Sequence, residues 1–245
     1  KRSPREKPMS VQSESIPLAI DEGSEYYRSV LPINYEKTCS CKPNHLNCLT
    51  AKEWLKSQLG VWQFYYEGRD VRNKKEHPAT FPISLATKVL GLFSHEGQLV
   101  VDPFVGSGTT LLAAQDLNRN ALGFDLKKEY VELSRDRLAR NNNLFNQARQ
   151  IVIQDDALSI PEYISPESVS LIWTSPPYGN MLNRKRKNKS RRSDTRKNAQ
   201  FDEIEQYSQD PRDLGTMALE KYTEAMGDIF ERLLPLLKPK AHCVI

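Results

Sequence analysis

Hydrophobic residues fall in two alternating rhythms between residues 83 and 173. Ile83–Phe93 is apolar at helical spacing, and Gln98–Asp102 is a short β-rich run that stops at a Gly-rich turn. Thr109–Leu117 reads as an apolar helix and Ala121–Asp125 as a second strand ending on an acid. Lys128–Asn141 is an amphipathic helix with Tyr130, Val131, Leu133 and Leu138 on one side. Gln150–Gln154 and Val169–Trp173 are a third and a fourth strand. Strands that alternate with helices specify βαβ units, hence an α/β fold with a mostly parallel sheet and helices on both faces. The crossovers are then right-handed.

After Trp173 the pattern breaks into a polar stretch over about 179–215. Glu220–Leu237 is a further amphipathic helix, ended by Lys238 and Pro239, and Ala241–Ile245 reads as a strand that the chain leaves almost at once. A doubly wound sheet normally has more strands. The fold is therefore expected to be incomplete at the C-terminus and finished by a C-terminal segment or a second subunit. Upstream, residues 1–50 are irregular, and Thr50–Leu59 looks helical, with Thr50 and Glu53 in a capping-box pattern. Trp62, Phe64, Tyr65 and Tyr66 form an aromatic cluster, read as packing residues before base-stacking ones. The expected organisation is an N-terminal arm with a short helix at 1–70 and one α/β domain at 71–245, with a basic loop insertion at about 180–215.

A chain of 245 residues suffices for one such domain with an appendage. Hydrophobic content of 38% and charged content of 27% read as soluble and globular. No apolar run approaches the roughly 20 residues that cross a bilayer. The basic start at Lys1, Arg2 and Arg5 has no apolar stretch behind it, which argues against a signal peptide and for a cytoplasmic protein. Net charge is only +4, but its distribution is uneven. The run from Arg184 to Lys197 carries nine Lys/Arg and no hydrophobic residue. Cys39, Cys41 and Cys48 cluster around His45 as Cys-x-Cys-x3-His-x2-Cys. Zinc needs four ligands converging at about 2.0–2.3 Å, and the first spacing is tighter than usual. Reduced, partly buried thiols are the preferred reading, and no metal is assigned. Cys243 belongs to an apolar run and reads as core.

Asp102-Pro103-Phe104-Val105-Gly106-Ser107-Gly108-Thr109-Thr110 follows a strand and opens a helix. Gly106 and Gly108 let the backbone turn tightly and approach a ligand, at the place where open α/β sheets bind one. No Gly-Lys-Ser/Thr follows, so this is not a Walker loop, and the third glycine of the dinucleotide fingerprint is absent. The segment resembles the S-adenosylmethionine-binding motif of amino-directed DNA methyltransferases. That resemblance implies a Rossmann-like S-adenosylmethionine-dependent methyltransferase fold. The turn Phe104–Gly108, with Pro103, Ser107 and Thr109, would wrap the methionine moiety. Asp102 would meet the cofactor's amino group, directly or through water. Asp125 at the next strand end can accept both ribose hydroxyls. Asp156 would accept from the adenine amino group, with Asp155 as the second choice. Alone, each acid would read as a helix N-cap; three at successive strand ends do not. Residues 77–82 resemble the segment that covers the methionine end in this family, which makes Thr80 and Phe81 candidates. A Pro-bounded helix entry is the competing reading there.

Thr174-Ser175-Pro176-Pro177-Tyr178-Gly179 follows the fourth strand. Two prolines fix the backbone and remove two amide donors. Carbonyls and the Ser175 hydroxyl remain as acceptors, beside an aromatic ring. An exocyclic amine is a poor nucleophile, because its lone pair is delocalised into the base; acceptors aimed at its N–H groups favour the pyramidal geometry of attack. The loop looks like the catalytic tetrapeptide of the same family, with Ser175 and the Pro176 carbonyl as acceptors, Pro177 as a brace and Tyr178 stacking on a flipped base. Ser at the first position is more typical of N4-cytosine enzymes, Asp of N6-adenine enzymes. No Pro-Cys pair occurs, so C5-cytosine chemistry is not expected.

The resemblance thus implies a site-specific methyltransferase acting on double-stranded DNA, in a bacterial restriction–modification setting and at the nucleoid when on DNA. N4 of cytosine is favoured and N6 of adenine is the alternative. Arg184, Lys185, Arg186, Lys187, Arg191 and Arg192 would contact phosphates, with a solubilising or targeting stretch as the competing reading. In this chain the cofactor motif precedes the catalytic one, whereas many N4-cytosine enzymes have the permuted order. An RNA amino-methyltransferase and a non-catalytic DNA-binding subunit stay open as further readings.

Overall fold

The computed structural model describes residues 36–42, 45–72, 80–141, 147–179 and 210–245. The expected basic run 184–197 lies outside the described residues, as do residues 77–79. A two-stranded antiparallel hairpin, β1 (His45–Leu46) and β2 (Leu49–Thr50), comes first. Helices α1 (Ala51–Ser57), α2 (Gly68–Val71) and α3 (Ile83–Phe93) follow. Then come β3 (Leu99–Asp102), α4 (Thr109–Asp116), β4 (Asn120–Asp125), α5 (Lys128–Arg140), β5 (Gln150–Gln154) and β6 (Val169–Trp173). Helix α6 (Leu219–Leu233) and strand β7 (Leu237–Val244) close the described chain.

The five long strands form one sheet in the order β5-β4-β3-β6-β7, with every pair parallel. Its topology reverses between β3 and β6, as in the dinucleotide-binding folds. Alternation along each strand feeds two cores. Leu99, Val101, Leu122, Phe124 and Ile172 face α6 through Ile229 and Leu233. Val100, Ala121, Leu171 and Trp173 face α3, α4 and α5 through Ile83, Leu90, Leu111 and Val131. All residues of β3 and β6 are buried, as expected for strands covered on both faces. The Rossmann-like α/β architecture is thus present, with helices on both sides.

Two elements differ from expectation at the C-terminal end. Helix α6 stops at Leu233, because Pro235 enters a 3-10 turn there (Leu234–Leu236). Strand β7 starts at Leu237 and runs through Pro239, which this edge position tolerates. Pro239 and Lys240 (φ 66°) lie in a register shift, where Val169 pairs with Leu237 but Leu171 with His242.

The N-terminal segment is tied down at discrete points. Thr50 and Glu53 make the expected capping box on α1, whose residues are none of them buried. The Thr38 amide donates to the Glu96 carbonyl at 2.9 Å. Trp62 lies under the Lys88 ammonium, 4.5 Å from its ring centre, and Tyr66 donates its hydroxyl to the Thr80 carbonyl at 2.8 Å. The expected boundary at residue 70 falls inside α2, where buried Asp70 accepts from the Ile83 and Glu67 amides.

Candidate functional site

The carboxyl ends of β3, β4, β5 and β6 open into a single cleft of about 920 Å³, open solvent at its mouth included. Its walls come from the glycine turn (Pro103–Ser107, Thr109), the acids Asp125, Asp155 and Asp156, the loop Ser175–Tyr178, and Thr80 and Phe81. The two motifs, 69 positions apart in their first members Gly106 and Ser175, therefore share one rim.

The turn is shaped by its glycines and braced by α5. Gly106 (φ 49°) and Gly108 (φ 81°) are both left-handed. A Cβ on Gly108 would stand 2.9 Å from the Ser134 side chain. Ser134 donates to the Gly106 carbonyl at 2.7 Å, and Arg137 donates to the Ser107 carbonyl at 2.6 Å and its hydroxyl at 2.9 Å. Arg137 is nearly buried, and that burial lowers its pKa. The turn is thus preorganised.

Asp125 accepts from the Gly106 amide at 3.0 Å through Oδ2 and from the Lys127 amide at 2.9 Å through Oδ1. Burial outweighs those two amides and, with Asp102 and Asp213 nearby, pushes its pKa up to about 7. Asp156 caps the 3-10 turn Ala157–Glu162 through Oδ1, while among the described residues its Oδ2 has only a distant contact with Arg212 at 3.8 Å. Asp155 spends Oδ1 on the Asp156 amide and Oδ2 on the Tyr163 hydroxyl at 2.6 Å. Of the two, Asp156 has the freer oxygen.

Two expected cofactor residues do not line the cleft. Asp102 is buried, and its oxygens are taken by the Thr110 hydroxyl (2.5 Å), the Thr174 hydroxyl (2.7 Å) and the Phe104 amide (3.1 Å). These three donors fill all but about one of its acceptor positions. It pins α4 to the end of β6, and so holds the glycine turn beside the Ser175–Tyr178 loop. Gly108 lies behind the turn as the N-cap of α4, and its contribution is conformational.

On the catalytic loop Pro176 is buried, Ser175 is half-buried, and Tyr178 is 56% exposed at the mouth. The Ser175 and Tyr178 hydroxyls stand 3.3 Å apart. Phe81 packs edge-on against Trp173 with ring centres 5.8 Å apart, which joins the helix entry to the loop. Sequence reasoning missed Lys127, Tyr130, Arg212, Asp213 and Leu214, which also line the cleft. Asp213 sits in a polar stretch that carries no periodic signal; only its N-cap chemistry before Leu214–Thr216 could have flagged it.

A sequence description of the DNA methylase family matches residues 5–136, more than half of the chain. The chain belongs to the DNA methylase family. The match ends before Ser175, so the Ser175–Tyr178 loop stands on geometry and on its own motif. Curated relatives include the Type II methyltransferase M.HpaI of Haemophilus parainfluenzae, 40% identical over 86 residues, with 35% of this chain and 27% of the relative covered. The Type II methyltransferase M.BglI of Bacillus subtilis is 35% identical over 89 residues, covering 36% and 24%. The chain thus spans about a quarter of the length of these relatives. Among solved structures, an rRNA methylase from Streptococcus thermophilus superposes with a TM-score of 0.40 at 15% identity, covering 68% of this chain and 71% of that one.

The cofactor of the family is S-adenosylmethionine, and the DNA methylase cleft fits it on two counts. Four acids (Asp125, Asp155, Asp156 and Asp213) line the cleft, an acidic surround that would suit a ligand carrying a sulfonium and an ammonium. Thr80 Oγ1 and Asp213 Oδ2 are buried with no hydrogen-bond partner among the described residues, although both side chains line the cleft. Buried polar atoms are rarely left so, and a polar ligand supplies what they lack.

Proposed function

We propose that this DNA methylase transfers a methyl group from S-adenosylmethionine to the exocyclic amino nitrogen of a flipped base in DNA, and that the base is cytosine, methylated at N4. The shared cleft of the glycine turn and the Ser175–Tyr178 loop carries the reading. When bound, the cofactor supplies an electrophilic methyl on sulfur.

The chain's own residues position and polarise. Asp125 takes the ribose hydroxyls, Asp156 the adenine amino group, and the turn Phe104–Ser107 wraps the methionine end beneath Thr80 and Phe81. Ser175 Oγ and the Pro176 carbonyl accept from the target amino group, which concentrates its lone pair on nitrogen. Tyr178, exposed at the mouth, offers its ring to a base that has left the duplex. Ser175 Oγ and the Pro176 carbonyl would hold the two amino protons, and one of them would pass to solvent once the nitrogen carries the methyl. Positioning two reactants in line is the main contribution to rate. The cations from Arg184 to Lys197 follow the loop in sequence and serve to hold DNA phosphates. Ser175 in the first position of the tetrapeptide supports cytosine over adenine.

The test is mass spectrometry of nucleosides from DNA incubated with the chain and isotope-labelled cofactor. Labelled N4-methylcytosine is expected. Labelled N6-methyladenine would replace the base assignment, and DNA without label beside labelled RNA would replace the substrate.

A further inference from the structure

At the opposite end of the sheet from the cleft, Cys39, Cys41, Cys48 and His95 bring four metal-ligating atoms within 4.8 Å of one another. We propose that these four residues bind one zinc ion, which clamps the N-terminal segment to the base of the catalytic domain. The sequence pairs the three cysteines with His45; the fold pairs them with His95. His45 stands on β1 at the rim of the same depression, and its ring is not in the cluster.

The sulfur–nitrogen separations match a single tetrahedral ion, and the sulfurs lie somewhat closer together than a bound ion would hold them. Cys41 Sγ lies 3.1 Å from Cys39 Sγ and 3.4 Å from Cys48 Sγ. His95 Nδ1 stands 3.4, 3.7 and 3.5 Å from the sulfurs of Cys39, Cys41 and Cys48. Ligands at the usual Zn–S and Zn–N distances define a tetrahedron with edges of about 3.8 Å between sulfurs and about 3.6 Å between sulfur and nitrogen. A disulfide would bring sulfurs to about 2 Å, and all of these cysteines are free thiols. Three thiolates and an imidazole select zinc among divalent ions that prefer tetrahedral geometry. Four protein ligands leave no open position, so the site is structural.

Independent features of the surroundings agree. Cys48 occupies the second central position of a two-residue hairpin turn, and Asn47 (φ 48°) and Cys48 (φ 67°) are both left-handed. That position favours glycine; a cysteine held there aims its sulfur into the cluster. His95 directly follows the C-cap of α3, with its amide donating to Gln98 Oε1 at 2.8 Å. The chain at 36–38 passes so close to the next turn that a Cβ on Gly97 would lie 2.6 Å from Thr38 Cγ2. Asn47 also donates its side-chain amide to the Leu92 carbonyl.

Charge completes the case. Zinc displaces three thiol protons to solvent, so three thiolates, a neutral imidazole and Zn²⁺ carry a net charge of −1. Arg119 is 3% exposed, donates to the Ser94 hydroxyl and carbonyl beside His95, and forms no carboxylate ion pair among the described residues. The charges that act favourably on its guanidinium are those of Cys48, Glu96, Cys39 and Cys41. A buried guanidinium gains from counter-charge, and a zinc–trithiolate centre would add its own to that of Glu96.

The test is metal content of the whole chain purified without chelator, by inductively coupled plasma mass spectrometry. One zinc per chain is expected, with loss in Cys41→Ser and His95→Ala and retention in His45→Ala. Because a variant can fail to fold, the wild-type chain, stripped and reloaded with cobalt(II), gives a second readout. Thiolate-to-cobalt charge transfer with the visible bands of a tetrahedral centre is expected. No uptake of zinc or cobalt by the reduced wild-type chain would overturn the site. Full zinc in His95→Ala would overturn the ligand set.

Discussion

The two ends of the parallel sheet handle polar groups in opposite ways. At the carboxyl end, Thr80 Oγ1 and Asp213 Oδ2 are buried without partners among the described residues, and Asp125 is held near neutral pKa. At the amino end, Arg119 has its guanidinium hydrogen-bonded to Ser94, and four soft ligands already touch one another. One end is poised for a ligand that comes and goes; the other is finished as a joint. Strand direction accounts for the split. The carboxyl ends of parallel strands diverge at the topological switch, which leaves a crevice, while the amino ends are covered by connections such as Ser94–Gln98 and the chain at 36–42.

If this contrast is right, the largest separable effect falls on turnover. Tyr178→Ala removes a ring that is 56% exposed and packs little in the free chain. Stacking of one base is worth about 1–3 kcal/mol, so turnover on DNA should fall by roughly ten- to a hundredfold. Cofactor affinity, measured by calorimetry without DNA, should hold within about twofold. A collapse of cofactor affinity in this variant would place Tyr178 in the wrong role.

The next effect is a pH dependence. If ribose hydroxyls donate to Asp125 as proposed, cofactor binding favours the carboxylate over the acid. With a free-chain pKa of about 7, affinity should be constant at higher pH and fall by about tenfold per pH unit below it. Asp125→Asn should flatten that profile and weaken binding above pH 7. The stability of the free chain runs the other way. A carboxyl whose folded pKa is raised stabilises the fold at low pH, and that contribution is lost as pH rises from about 4 through about 7. Asp125→Asn should therefore melt higher than the parent at pH 8. An affinity profile in the parent chain that ignores pH between 5 and 8 would remove the ribose contact.

What the sequence made legible follows the same division. β5 and β6 fall where the apolar runs place them, and α3 matches its helical period, because those signals are local and the elements are buried. The glycine turn and the Pro-Pro-Tyr loop are contiguous motifs, so their lining residues were readable one by one. The place of Asp102 behind the lining was not, because its partners Thr110 and Thr174 approach from two other elements. His95 was hidden for a related reason: it lies 54 positions beyond Cys41, and nothing in a linear spacing pairs them. The extent of β7 was misjudged because Lys238 and Pro239 look like a stop, while an edge strand can absorb them in a bulge.

The smallest effect separates the two ways in which the N-terminal segment is held. Lys88 lies over the Trp62 ring, and that contact is partly exposed. A cation–π pair at such a site is worth about 0.5–1 kcal/mol. Lys88→Ala should therefore raise amide hydrogen exchange across residues 51–66 by only two- to fivefold. Removing the metal should raise it far more, because α1 buries no residue and follows directly on the hairpin that carries Cys48. The order of those two increments is the decisive quantity. Equal increments would mean that the segment is held by distributed surface contacts, and the amino end of the sheet would then lose its distinction as a built joint.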